Sequence, residues 1–149
     1  MRAARLVLLA AVVLAVTALS ASAQTNAQNA TTWGLLGMWK VDCSRRAGNG
    51  LDASQTYVIR DGKLELDRDF GTVKDTANVT TARIRAEGTL ELVILYPSLS
   101  QTREFVLVKG PDGRIRSVSN RNVDTNEFSI RDGVLLANGN QSPWQSRCP

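Results

Sequence analysis

Three acidic side chains alternate along one short stretch: Glu65, Asp67 and Asp69. On a strand that spacing puts all three on one face, where carboxylate oxygens can meet a hard cation such as calcium. No calcium-loop spacing accompanies them, so a solvated strand face is the better account. The two thiols are Cys43 and Cys148, and no C-x-x-C pair exists. An even count at that distance argues for one disulfide between them rather than a metal or redox pair. Histidine is absent from the whole chain. Ser-His-Asp and Cys-His nucleophile arrangements are therefore excluded, as are zinc sites built on histidine. Ser98, Ser100, Ser117 and Ser119 have no base beside them in the sequence. What remains is the chemistry of binding. The chain is expected not to be an enzyme, and it implies no cofactor and no metal.

The N-terminus sets the compartment. Arg2 and Arg5 form a basic opening, residues 6–19 are apolar, and Ser20-Ala21-Ser22-Ala23 places small residues before Gln24. That is the pattern of a secretory signal peptide cleaved after Ala23. It predicts a periplasmic or secreted protein, where a disulfide persists. No later stretch is long and apolar enough to span a bilayer as a helix.

The whole chain carries 18 basic and 14 acidic residues, a net charge of +4. Cleavage removes Arg2 and Arg5, leaving 16 basic against 14 acidic, a balance of +2. The arginines are scattered and aromatics make up 5% of the chain. No basic stripe with stacking rings is present, so no nucleic acid is expected as a partner. A monomer is expected.

Any site must be held by strands. Residues 24–32 (QTNAQNATT) are polar and unpatterned and read as a flexible lead-in to a single domain spanning 33–149. From Trp33 onward short alternating runs meet turn signals. Strands are expected near 38–43, 55–60, 63–70, 79–86, 89–96, 101–109, 115–122, 127–131 and 134–137. Asp61-Gly62 and Asp132-Gly133 are tight hairpin signals, because glycine accepts a positive φ without steric cost. The units Ile59–Leu64 and Ile130–Leu135 echo each other, which recurrent hairpin chemistry explains. Evenly spaced short strands predict an all-β antiparallel meander of about eight strands, closing as a barrel.

Gly37-Met38-Trp39, opening the first strand, resembles the Gly-x-Trp of lipocalins and related calycin barrels. The resemblance implies that Trp39 plugs the closed end of a barrel. It also implies a basic residue over the ring, with Arg131 or Arg121 as candidates and a cation–π contact as the physical reason. The Gly-x-Trp-x-x-Asp-Cys start and the Trp near a final Cys are similar to small secreted bacterial lipocalin-like proteins of unknown function. A Gly-x-Trp-like opening strand also resembles the metalloprotease inhibitors of Gram-negative bacteria, whose disulfide is arranged differently.

Residues 115–122 are the most suggestive strand. Strict alternation gives one face as Ile115, Ser117, Ser119 and Arg121, and the other as Arg116, Val118, Asn120 and Asn122. Neither is a good core face. Should Ser117, Ser119 and Arg121 turn inward beside Tyr57 and Tyr96, they would line a cavity suited to a small anionic or amphiphilic ligand. The alternative is a protein-binding module, such as an inhibitor of periplasmic hydrolases, acting through loops 45–54, 97–102 or 138–146.

Overall fold

The computed structural model describes residues 24–149. The signal peptide expected over residues 1–23 lies outside the described residues. The fold is all-β apart from one helix. After α1 (Asn26–Trp33) come β1 (Gly37–Lys40), β2 (Ser54–Arg60), β3 (Lys63–Asp69), β4 (Lys74–Ile84) and β5 (Leu90–Tyr96). They are followed by β6 (Gln101–Lys109), β7 (Ile115–Asn122), β8 (Phe128–Arg131), β9 (Val134–Leu135) and β10 (Ser146–Cys148). They form one ten-stranded antiparallel sheet in the order β10-β1-β2-β3-β4-β5-β6-β7-β8-β9. That is ten strands where the sequence predicts about eight. The least legible strand is β10, which spans three residues and is defined by its partner β1 across the chain. Among the described residues no ladder joins β9 to β10, and no helix is long and apolar enough to cross a membrane.

Both Asp-Gly signals form the expected hairpins. Asp61 and Gly62 have φ of 50° and 74°, and Asp132 and Gly133 have 52° and 75°. Two successive positive φ values give a turn whose twist matches that of the flanking strands. The registers follow, with Arg60 opposite Lys63 and Arg131 opposite Val134.

The polar stretch 24–32 is not a loose lead-in, because most of it is α1. Thr25 and Gln28 form a capping box, and Gly34 closes the C-terminal end in the left-handed region. Two of its asparagines dock the helix on β4. A register shift between Val79 and Thr81 interrupts β4, and β3 pairs with β4 only as far as Asn78. The backbone beyond is left for α1. Asn26 Nδ2 donates to Thr80 O at 2.9 Å and Asn29 Nδ2 to Ala82 O at 2.8 Å. Asn26 Oδ1 accepts from Ala82 N at 2.8 Å. Strand backbone left without a ladder partner must find one elsewhere, and α1 supplies it. The same helix buries Ala30 and Trp33 in the core beside Leu35, Leu64, Leu90 and Leu92.

β7 carries a second irregularity. Leu107 lies opposite Ser117 and Val106 opposite Ser119, so Val118 is the extra residue of a bulge. Because side chains alternate with a period of two, one extra residue reverses every face beyond it. Ser117 and Asn120 consequently share a side, and the alternation assumed for 115–122 fails at its middle.

The chain's end is fastened in several ways. Cys43 and Cys148 are bonded across a separation of 105 residues. Ser142 Oγ donates to Ser117 O at 2.6 Å. The guanidinium carbons of Arg114 and Arg116 lie 5.8 and 4.8 Å from the centre of the Trp144 ring.

Candidate functional site

Two adjoining hollows open along the inward side of the sheet. The first, about 230 Å³, is bounded by Val41, Tyr57, Leu107, Ser117, Ile130 and Gln145, among others. The second, about 380 Å³, is bounded by Arg68, Phe70, Tyr96, Gln101 and Arg103. Gln55, Phe105 and Asn120 line both. The strand β6 shows why these residues meet. Its alternate positions Gln101, Arg103, Phe105 and Leu107 share one face, polar at one end and apolar at the other.

Tyr57 and Tyr96 are both 4% exposed. Burial pushes the Tyr57 phenol well above its ordinary value. Burial also pushes Tyr96 up to about 12, against the opposing pull of Arg68 and Arg103. Neutral phenols at these positions are donors and acceptors at any physiological pH. Tyr96 and Phe105 meet edge to face, with ring centres 6.5 Å apart.

Two guanidiniums serve the second hollow in different ways. Arg68 Nε donates to Asp75 Oδ1 at 2.8 Å, and its guanidinium lies 4.2 Å from the Tyr96 ring centre and 5.2 Å from that of Phe70. Hydrogen bonding from Arg68, then from Ser98, holds the Asp75 carboxyl below its ordinary range. Arg103 has neutral acceptors only. Its Nε donates to Asn120 Oδ1 at 2.7 Å, and its terminal nitrogens to Ser129 Oγ at 2.9 Å and Gln101 Oε1 at 3.5 Å. Among the described residues no carboxylate pairs with it.

The residues expected at the site divide accordingly. Tyr57 and Ser117 line the first hollow and Tyr96 the second. Ser119 and Arg121 lie past the bulge and leave that face. Ser119 stands in an outer recess with Glu104, Val106 and Phe128. Arg121 is taken by Glu104 at 3.0 Å and by Asn126 at 2.8 Å. In their place the structure brings Asn120 and Arg103. Sequence reasoning passed over Arg103, although a strand face running Gln-Arg-Phe-Leu was a usable signal.

Trp39 is 2% exposed and donates from Nε1 to Leu35 O at 2.6 Å. Neither basic candidate covers its ring. Arg131 lies over Phe128, 4.2 Å from the ring centre, and Arg121 is held by Glu104. The basic residue beside the Gly-x-Trp segment is Arg147, opposite Trp39 on β10. Its guanidinium packs where a Cβ on Gly37 would come within 2.9 Å. The alternating acids are also accounted for by neighbours. Glu65 pairs with Arg60 at 2.6 Å, Asp67 pairs with the same arginine, and Asp69 pairs with Lys74 at 2.9 Å.

No family model matches this chain, no curated protein matches its sequence, and no solved structure matches its fold.

Proposed function

We propose that this chain is an exported, non-enzymatic, lipocalin-like β-barrel that holds a small amphiphilic or anionic ligand. The observation that carries this is the pair of hollows, walled by buried tyrosines and a guanidinium without a carboxylate. A cavity lined by apolar and aromatic side chains, with a few converging polar groups, is the usual form of a small-molecule site.

Closure of the sheet is part of the proposal, and the tail supports it. β10 pairs with β1. Gln145, the residue before β10, exchanges two backbone hydrogen bonds with Ile115 of β7. The tail thereby touches both β1 and β7, so a ring of β1 to β7 closed by the tail would leave β8 and β9 as a hairpin outside it. Trp39, buried and bonded to Leu35 O just after α1, suits the plug position. The Cys43–Cys148 disulfide fits a periplasmic or extracellular setting, as expected of a protein exported by a cleaved leader.

Native mass spectrometry on protein purified from its own host's envelope tests this. A small non-covalent mass that disappears on denaturation supports the carrier and gives the ligand class. A bare mass for residues 24–149, less two hydrogens, counts against it. The weight then moves to recognition of a protein through loops 45–54, 97–102 or 138–146.

A further inference from the structure

We propose that the ligand is a compact organic acid built on one or two hydroxylated aromatic rings, anchored by Arg103, and not a long-chain lipid. This rests on the carrier proposal above and narrows it.

Charge is the first argument. Of the two cations bordering the second hollow, Arg68 is matched by Asp75. Arg103 meets only Asn120, Gln101 and Ser129. The hollow therefore keeps one net positive charge. A guanidinium presents a planar fork of donors that fits a carboxylate or another planar oxyanion.

The polar groups around the hollows are the second argument. The hydroxyls of Tyr57 and Tyr96 and the amide of Gln55 make no hydrogen bond to any described residue. Among the described residues the one unpartnered side-chain atom sealed from all access is Arg116 Nε. The tyrosine hydroxyls and the Gln55 amide are thus not sealed, and their residues line the two hollows. An alkyl chain laid against them would leave them unanswered, and each buried unanswered group weakens binding by about tenfold. A ring carrying hydroxyls answers them.

Size and wall chemistry complete the case. The second hollow, which Arg103 borders, is about 380 Å³ and the adjoining first about 230 Å³, at and below the lower end of the roughly 300–1,000 Å³ typical of drug-sized ligands. Phe105 lines both hollows, Tyr57 the first and Tyr96 the second. Such faces favour another ring through offset or edge contacts.

The test uses mature, disulfide-bonded protein stripped of any bound molecule and three probes: 6-hydroxy-2-naphthoate, 2-naphthol and octanoate. Binding is followed by calorimetry and by amide chemical shifts. The hydroxynaphthoate is expected to bind at least tenfold tighter than either other probe. Arg103→Gln should weaken it by tenfold or more and leave 2-naphthol unchanged, while Arg103→Lys recovers part of the loss. An unchanged melting temperature certifies that the variants fold, and the comparison of probes on the unaltered protein needs no variant. Octanoate binding as tightly as the hydroxynaphthoate, or 2-naphthol doing so, overturns the ligand class while the carrier stands. Should none of the three bind, the ligand class falls, and the native mass spectrum of protein from its own host's envelope decides the carrier separately.

Discussion

Ile115 and Gln145 exchange two backbone hydrogen bonds, at 3.0 and 2.8 Å, and so join the start of β7 to the tail of the chain. One residue on, that tail becomes β10, pairs with β1 and is bonded through Cys148 to Cys43. The wall of the first hollow contains Val41, which follows β1, and Gln145, which precedes β10. The staple therefore fastens both a strand pair and part of the candidate site.

Removing it should cost stability. A loop of 105 residues corresponds to about 4–5 kcal/mol in the chain-entropy account, and native disulfides typically contribute about 2–5 kcal/mol. Urea unfolding of Cys43→Ala/Cys148→Ala should show a midpoint lowered to match, and added reductant should do the same to the unaltered protein. Equal midpoints with and without reductant would show that the bond contributes nothing.

The docking of α1 gives a second expectation. Asn26→Ala removes two hydrogen bonds to β4 and Asn29→Ala removes one. A net loss of about 1 kcal/mol for each bond follows. Because Ala82 N loses its acceptor, its amide should exchange with deuterium faster in Asn26→Ala than in Asn29→Ala. The reverse order would argue against this contact.

The two tyrosines report on the interior directly, since the chain has only two. Burial raises both phenols, Tyr96 to about 12 and Tyr57 above the ordinary range as well. Absorbance at 295 nm should therefore stay flat through pH 10 while the protein is folded. The raised values favour the neutral form in the fold. Their contribution to stability is complete below the unfolded value near 10 and is lost as pH rises toward 12. A full tyrosine titration near pH 10 with native circular dichroism would contradict the burial.

Asp75 acts in the opposite direction. Its carboxyl is held below 3.8, first by the hydrogen bond from Arg68 and then by that from Ser98. The stability from this pairing is present above pH 4 and fades as pH falls below the unfolded value. Asp75→Asn should lose about 1–3 kcal/mol at pH 7 and show a flatter fall as pH drops below the unfolded value. Parallel acid curves for the two proteins would rule out the linkage.

Local chemistry was largely legible from the residues. Asp-Gly pairs dictate their own turns through backbone sterics, whatever surrounds them. Alternation around Leu64-Glu65-Leu66-Asp67 marks a half-buried strand because side-chain direction has a period of two. Two lone cysteines in one chain leave a single intramolecular pairing. Each of these signals is carried by neighbours within a few residues.

What only the tertiary structure decided depends on partners remote in sequence. Residues 26–32 are mostly polar, and their asparagines gain a role only because β4 outruns β3 and leaves backbone groups for them. The bulge at Val118 has no local marker, yet it turns Asn120 toward the hollows and Ser119 and Arg121 away. Arg103 stays without a carboxylate because Glu104 points to the other face and meets Arg121. Turns and strands are fixed by short-range sterics and periodicity, whereas a site is fixed by which unsatisfied groups the finished sheet brings within reach.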